Sequence, residues 1–341
     1  MCAEVTAISK LIYYISGLNI WISSSIILFF TLTYVLFGGL KATIRSDSIQ
    51  FVIIILLFFY LIFSVFLKNH NNLNLNIFQE NLIKFDTKSL ISSFQFGFVF
   101  FIAVAATNLF HQGNWQRVYA AKNQKILVKS LIISFFIILI IVLFMGVTGI
   151  ISKLNGLKFN EDLAFFSIVL NKNDVLISLV VIIFSLSLTI STIDTLLNSI
   201  SSLIIVHKKN FEFFKNQKIK KLSAILLIFL SLICFCIALY QLSVLYLFLL
   251  ADLLCCACVY VVFKGLYQKK ISASRSFFLV SIGLCSGLLF FPDPTFSKSF
   301  FIGVLFNKDI LAGIFLNSLL FWSFLFATFL PIFFDLFLKK K

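Results

Sequence analysis

Ser191-Thr192-Ile193-Asp194-Thr195 puts three hydroxyls and a carboxylate into a stretch otherwise built for lipid. Residues 175–206 carry no ionisable side chain other than Asp194, and a spanning helix needs about 20 residues. An ionisable group inside a bilayer is costly enough that a functional site is the first expectation there. Hydroxyl and carboxylate oxygens are hard donors, which suits a small hard cation. On a helix, Leu188, Ser191, Thr192 and Thr195 share one side by their three- and four-residue spacing. Asp194 lies about 100° around the axis from Thr195, toward a neighbouring polar pocket. The structural alternative is that the hydroxyls bond back to their own helix carbonyls while Asp194 pairs with a base. Few basic residues lie within spans; they are Lys10 and Lys129. A second acid, Asp252, sits within Leu249-Leu250-Ala251-Asp252-Leu253-Leu254. It reads equally as a coupling group or as a hydrogen bonder between packed helices.

Two further segments are more polar than a plain connection needs. In Gly38–Gln50, the Gly38-Gly39 pair ends one helix and Ser46 or Asp47 caps the next, a structural reading sufficient by itself. In His111–Asn123, Trp115, Arg117 and Tyr119 are of the types that anchor a helix at the membrane interface. His111 and Gln112 lie nearer the membrane and can face a cavity, although a single histidine near a helix end is more often a hydrogen-bonded structural residue. Gly97 interrupts the preceding apolar run, which marks either an unwound stretch or a close packing contact.

The elements that must position these groups follow from composition. Of 341 residues, 61% are hydrophobic and 12% charged, and mean hydropathy is +1.08. A soluble domain is nearer 45–50% apolar and about 25% charged, so the chain is an all-α polytopic membrane protein embedded in a lipid bilayer. The apolar runs predict nine spans, near 20–37, 50–67, 89–110, 127–150, 175–206, 222–241, 244–263, 276–291 and 311–335. Residues 1–17 read as the end of a helix that begins earlier. The net charge of +15 does not indicate nucleic acid, because the basic residues cluster between spans. Alternate connections carry 18 and 8 Lys and Arg; the richer set is expected on the cytoplasmic side, with the C-terminus. The seven cysteines, six of them within apolar spans, read as small hydrophobes.

Three segments, taken in order, resemble the sodium:solute symporter family. GGLKATIRSDSIQ, carrying Gly38, Gly39, Asp47 and Gln50, is similar to its Gly-Gly-Leu-x-Ala-Val-x-Trp-Thr-Asp-x-x-Gln segment. QGNWQRVYAAKNQK, carrying Gln116 and Arg117, resembles its Gln-Arg-x-x-Ala-Ala-Lys-Asn segment, and STIDTLLNSISSLI its Ser-Thr-x-Asp-Ser segment. The resemblance covers roughly residues 1–265. It implies a five-plus-five inverted repeat fold with sodium and solute bound at mid-membrane beside broken helices. It divides the chain into 1–17 as a remnant of core helix three, 18–265 as core helices four to ten, and 266–341 as two additional helices. It assigns sodium to the Ser191 and Thr192 hydroxyls and the Leu188 carbonyl. Asp194, Thr195 and Asp252 become accessory or coupling groups, and Gly97, His111 and Gln112 face the solute. Arg45, Ser46 and His111 depart from the family's usual residues. By the same resemblance core helices one and two are absent, so the rest of the sodium site would lie on a missing N-terminal segment, supplied upstream or as a separate chain.

The expectation is a secondary transporter, not an enzyme: sodium-coupled symport of a small polar solute by alternating access, multi-pass in a cell membrane, with the bacterial inner membrane as the expected one, sodium as coupling ion and no organic cofactor. Proton coupling through Asp194 or His111 is the close variant. A chain with half a sodium site is also open to being inactive, a decayed symporter fragment, or a sensory, partner-binding module without transport.

Overall fold

A computed structural model describes residues 1–68, 87–154, 161–170, 174–207, 219–267, 271–296, 298–299, 301 and 319–339. The helices are α1 Cys2–Ser16, α2 Ile20–Lys68, α3 Thr87–Phe110, α4 Gln112–Ala120, α5 Gln124–Leu154 and α6 Ala164–Val169. They continue with α7 Val175–His207, α8 Ile219–Leu239, α9 Val244–Tyr267, α10 Ala273–Phe290 and α11 Leu319–Lys339. Eight of the described helices are long and apolar enough to cross a membrane, and the nine apolar runs fall on them because α2 holds two of the runs, 20–37 and 50–67. Part of the span expected at 311–335, and much of the basic set (208–218, 269–270 and 340–341 among it), lies outside the described residues.

In α2 the expected break at Gly38-Gly39 is present, but the second helix starts directly after it rather than at Ser46 or Asp47. The apolar part of α2 has 45 residues, about 68 Å at 1.5 Å per residue and roughly twice a bilayer's ~30 Å core. The interruption is a single residue, Gly39, at φ 57° and ψ −160°, a region essentially open only to glycine. Ile27, Leu28 and Val35 before it belong to the same core cluster as Phe58 and Leu61 after it, so both halves contribute to one core. Ser46 and Asp47 therefore lie inside a helix and cap nothing.

The chain forms two compact units. The first, residues 1–83 and 112–244, packs α1, α2, α7 and α8 around Val5, Ile8, Phe58, Val181, Phe184 and Leu197. Phe58 stacks on Phe184 with ring centroids 6.3 Å apart. One buried ion pair ties its distant parts: Lys10 Nζ lies 2.6 Å from Asp162 Oδ2 and donates to the Leu242 carbonyl at 2.8 Å. Asp162 in turn accepts the Val244 N–H, 3.2 Å away, where the positive end of a helix dipole favours a carboxylate. Removing one member of such a pair strands the other charge, at a cost of about 3–5 kcal/mol.

The second unit, residues 84–111 and 245–341, packs α3, α9, α10 and α11. Lipid is as apolar as leucine, so helices associate in it by close fit rather than by hydrophobic expulsion. At Gly287 an added Cβ would stand 2.9 Å from the Ala327 Cβ, and Ser323 Oγ donates to the Gly287 carbonyl at 2.7 Å. A buried carboxylate, Asp335, joins three helices: Lys264 donates to it, as do Arg275 Nε at 2.7 Å and Tyr260 at 2.6 Å.

Candidate functional site

The residue that gathers the polar groups of the first unit is Asp47. The helical run after Gly39 carries its carboxylate to α7 and α4 together. Ser191 Oγ on α7 donates to Asp47 Oδ1 at 2.6 Å, and Arg117 Nη2 on α4 donates to Asp47 Oδ2 at 2.7 Å. The same guanidinium nitrogen donates to Thr195 Oγ1 at 2.8 Å. Ser191 and Thr195 stand one helical turn apart, so one carboxylate and one guanidinium span both. These are charge-assisted bonds, the stronger kind. The Arg117 side chain is 46% exposed, which holds the worth of the ion pair itself to about 0–1 kcal/mol.

Asp194 points elsewhere, as its angular offset predicts. It is fully buried and accepts from Ser46 Oγ and from Thr195 Oγ1, each at 3.3 Å. Among the described residues no lysine or arginine lies within ion-pair distance of it, and Lys10 is engaged by Asp162. Gln116 Nε2 donates to Ser202 Oγ at 2.6 Å, fastening α4 to α7 a second time. Gln50, one turn beyond Asp47, holds a buried side-chain oxygen with no partner among the described residues.

A cleft of about 950 Å³ opens beside this cluster, lined by Asp47, Asn114, Arg117, Ser130, Ser134 and Ser191 among others. A second cavity, about 10 Å³, lies between Asp47, Gln116, Arg117, Thr195 and Asn198. That is close to the volume one water requires, and the buried Asn198 amide nitrogen, without a partner among the described residues, borders it.

The four residues expected on one side of α7 divide between two. Ser191 and Thr195 meet Asp47 and Arg117, whereas Thr192 Oγ1 donates back to the Leu188 carbonyl at 3.1 Å, the structural alternative anticipated for it. The Leu188 carbonyl and Thr192 hydroxyl are thereby adjacent, on a more open face where Leu188 is 37% exposed. Arg117 is an ion-pair partner here, whatever its place relative to an interface. Trp115 and Tyr119 lie together with ring centroids 6.3 Å apart, and Tyr119 is largely exposed.

Gly97 does not interrupt its helix: α3 runs through it, with open space where a side chain would stand. The break comes at His111, the one non-helical residue between α3 and α4, and Gln112 begins α4. Asp252, on α9, is buried and accepts the Thr107 hydroxyl of α3. Sequence reasoning missed Thr107 and Asn198, and it took Asp47 and Ser46 for caps. A signal for Asp47 existed: an acid eight residues into a helix, too far from Gly39 to cap it.

A model of the sodium:solute symporter family matches residues 1–283. Among curated proteins, the chain is similar to the spermidine transporter DUR31 of Candida albicans (strain SC5314), with 26% identity over 289 residues. The match covers 83% of this chain and 53% of that protein, so the chain spans about half the length of the curated relative. No solved structure matches it.

Proposed function

The chain belongs to the sodium:solute symporter family, and from that premise we propose that it serves sodium-coupled symport of a small polar solute by alternating access. The observation that carries the coupling is the Ser191 hydroxyl held 2.6 Å from the Asp47 carboxylate, with the Leu188 carbonyl and Thr192 hydroxyl paired on the neighbouring, more open face of the same helix. A sodium ion entering at the edge between these two faces takes the lone pairs of Ser191 and, once its hydroxyl turns from its own helix, Thr192, together with the carbonyl oxygen of Leu188. Asp47 supplies the countercharge, and the rest of the shell comes from water or further protein oxygens. Arg117 holds that same carboxylate when no ion is present, so the two cations compete. Binding of sodium then weakens the Arg117 bond that joins α4 to α2, which links ion occupancy to opening of the cleft they border. Asp194, satisfied by Ser46 and Thr195, stays an accessory acid that orients Thr195. The membrane potential adds about 2.3 kcal/mol per charge per 100 mV, enough to concentrate a neutral solute more than tenfold.

Uptake of labelled urea, proline and putrescine by cells producing the protein tests the reading. At least one solute should accumulate, and replacing external sodium by choline should abolish its uptake. Ser191→Ala and Thr192→Ala should each reduce uptake several-fold at limiting sodium. Uptake indifferent to sodium, with both variants harmless, would overturn it.

A further inference from the structure

The second unit gathers cations at one end. Lys264, Arg275 and Asp335 each lie within three residues of the end of a membrane span, on α9, α10 and α11 respectively. That depth is where the headgroups of a bilayer begin. Lys264 and Tyr260 donate to one oxygen of the Asp335 carboxylate, and Arg275 Nε donates to the other at 2.7 Å. Arg275 Nη2 donates to the Asp335 backbone carbonyl at 3.1 Å. A single fully buried carboxylate thus faces two cations.

The sequence around this end offers no second acid. From Leu253 to Pro292 and from Ile310 to Lys341 the chain carries seven lysines and arginines and one acid, Asp335. Of the other acids of this unit, Asp252 stands twelve residues before Lys264 and is bonded to Thr107, about 18 Å away along α9. Asp293 lies beyond the far end of α10, and Asp86 and Asp309 lie outside the described residues. Lysines in a connection need only water. Lys264 and Arg275 differ because they lie within helices, with side chains 6% and 31% exposed, where a charge short of a partner is costly. Lys264 is held from two sides, by the carboxylate and by the Tyr260 ring 5.8 Å below it, so the excess charge falls to Arg275. Its third terminal nitrogen, Nη1, has no acceptor among the described residues, and its exposure leaves it reachable from outside.

A guanidinium fork matches the geometry of a phosphate. The neighbouring surface favours one that carries acyl chains. Phe278, one turn from Arg275 into the span, is 48% exposed, and Tyr267, one turn beyond Lys264, is largely exposed. Phenylalanine there meets hydrocarbon and tyrosine meets the headgroup layer, contacts from which a soluble phosphate gains nothing. We propose that Arg275, held in place by Asp335, binds the phosphate of an anionic phospholipid at the joined ends of α9, α10 and α11. The inference is independent of which solute or ion the chain carries.

The test is binding of fluorescent phosphatidylglycerol to the purified full chain in neutral detergent, with phosphatidylcholine, whose phosphate is offset by its own cation, as the comparison. The unaltered chain should prefer phosphatidylglycerol. Arg275→Gln should weaken phosphatidylglycerol binding about fivefold, the worth of one cation near an anionic surface, and leave phosphatidylcholine binding little changed. Arg275→Lys keeps a charge for Asp335 without the planar fork and should weaken it about twofold or more; it serves as the readout where Arg275→Gln does not fold. Tyr260→Phe removes a hydrogen bond to Asp335 but no charge, and should lower thermal stability while keeping the lipid preference. Equal affinity for the two lipids, or phosphatidylglycerol binding unaltered in both Arg275 variants, would overturn the proposal. A preference lost equally in Tyr260→Phe would assign the effect to packing and overturn it as well. Displacement of the lipid by millimolar glycerol phosphate would do the same, by making this a site for soluble phosphate.

Discussion

At the scale of single residues, one carboxylate has two suitors. Asp47 accepts Ser191 through one oxygen and Arg117 through the other, so charge and hydrogen bonding at this residue separate cleanly by substitution. Asp47→Asn keeps an acceptor for Ser191 but removes the countercharge. Because the pair with Arg117 is half-exposed, stability should change by less than about 1 kcal/mol. The sodium concentration for half-maximal response should rise about tenfold or more, as expected when one partner of a charge pair is lost. Arg117→Gln acts with the opposite sign: it frees Asp47 from its competitor and should lower that concentration. A sodium titration of both variants checks the pair, and shifts in the same direction would remove Arg117 from its competing role. Asp47 was legible as a motif residue but not in its role. An acid after glycines reads as a cap, and only the helical run from Leu40 shows that it faces α7 across 144 residues of sequence. Thr107 gave no signal at all, since a threonine in an apolar run differs little from its neighbours.

At the scale of elements, two interruptions do the positioning. The apolar runs made the helices easy to place, because crossing a bilayer demands length and hydrophobicity that sequence displays directly. Their breaks were harder to read. Of the glycines flagged, Gly39 is the interruption and Gly97 is not; φ and ψ decide this, not composition. Gly39→Ala forces a Cβ into a conformation that L-residues avoid, at a cost of about 1–3 kcal/mol, and should lower the melting temperature. Gly97→Ala meets open space in a regular helix and should leave stability unchanged or raise it by about 0.5–1 kcal/mol. Thermal unfolding in detergent compares the two; equal effects would contradict the kink as described. The break at His111 had a partial signal in the cluster of polar residues that follows it. The tie from Lys10 to Asp162 had none, because 152 residues separate its partners.

At the scale of the molecule, one unit carries a cluster in which Asp47 accepts from Ser191 and Arg117, and the other carries Asp252, a buried carboxylate that accepts from Thr107. The family match over residues 1–283 places both within one ancestry, while the coupling ion rests on the first cluster alone. The most direct measurement of that claim needs no solute. Purified protein is unfolded thermally across a sodium titration, with potassium replacing sodium at constant ionic strength, for the unaltered chain, Ser191→Ala and Thr192→Ala. Binding to the folded state raises its stability as ligand exceeds the dissociation constant. The account predicts a melting temperature that climbs with sodium and not with potassium, and a climb that is lost in Ser191→Ala and reduced in Thr192→Ala. Identical curves in the two salts, or a sodium-specific rise that survives both substitutions, would contradict it.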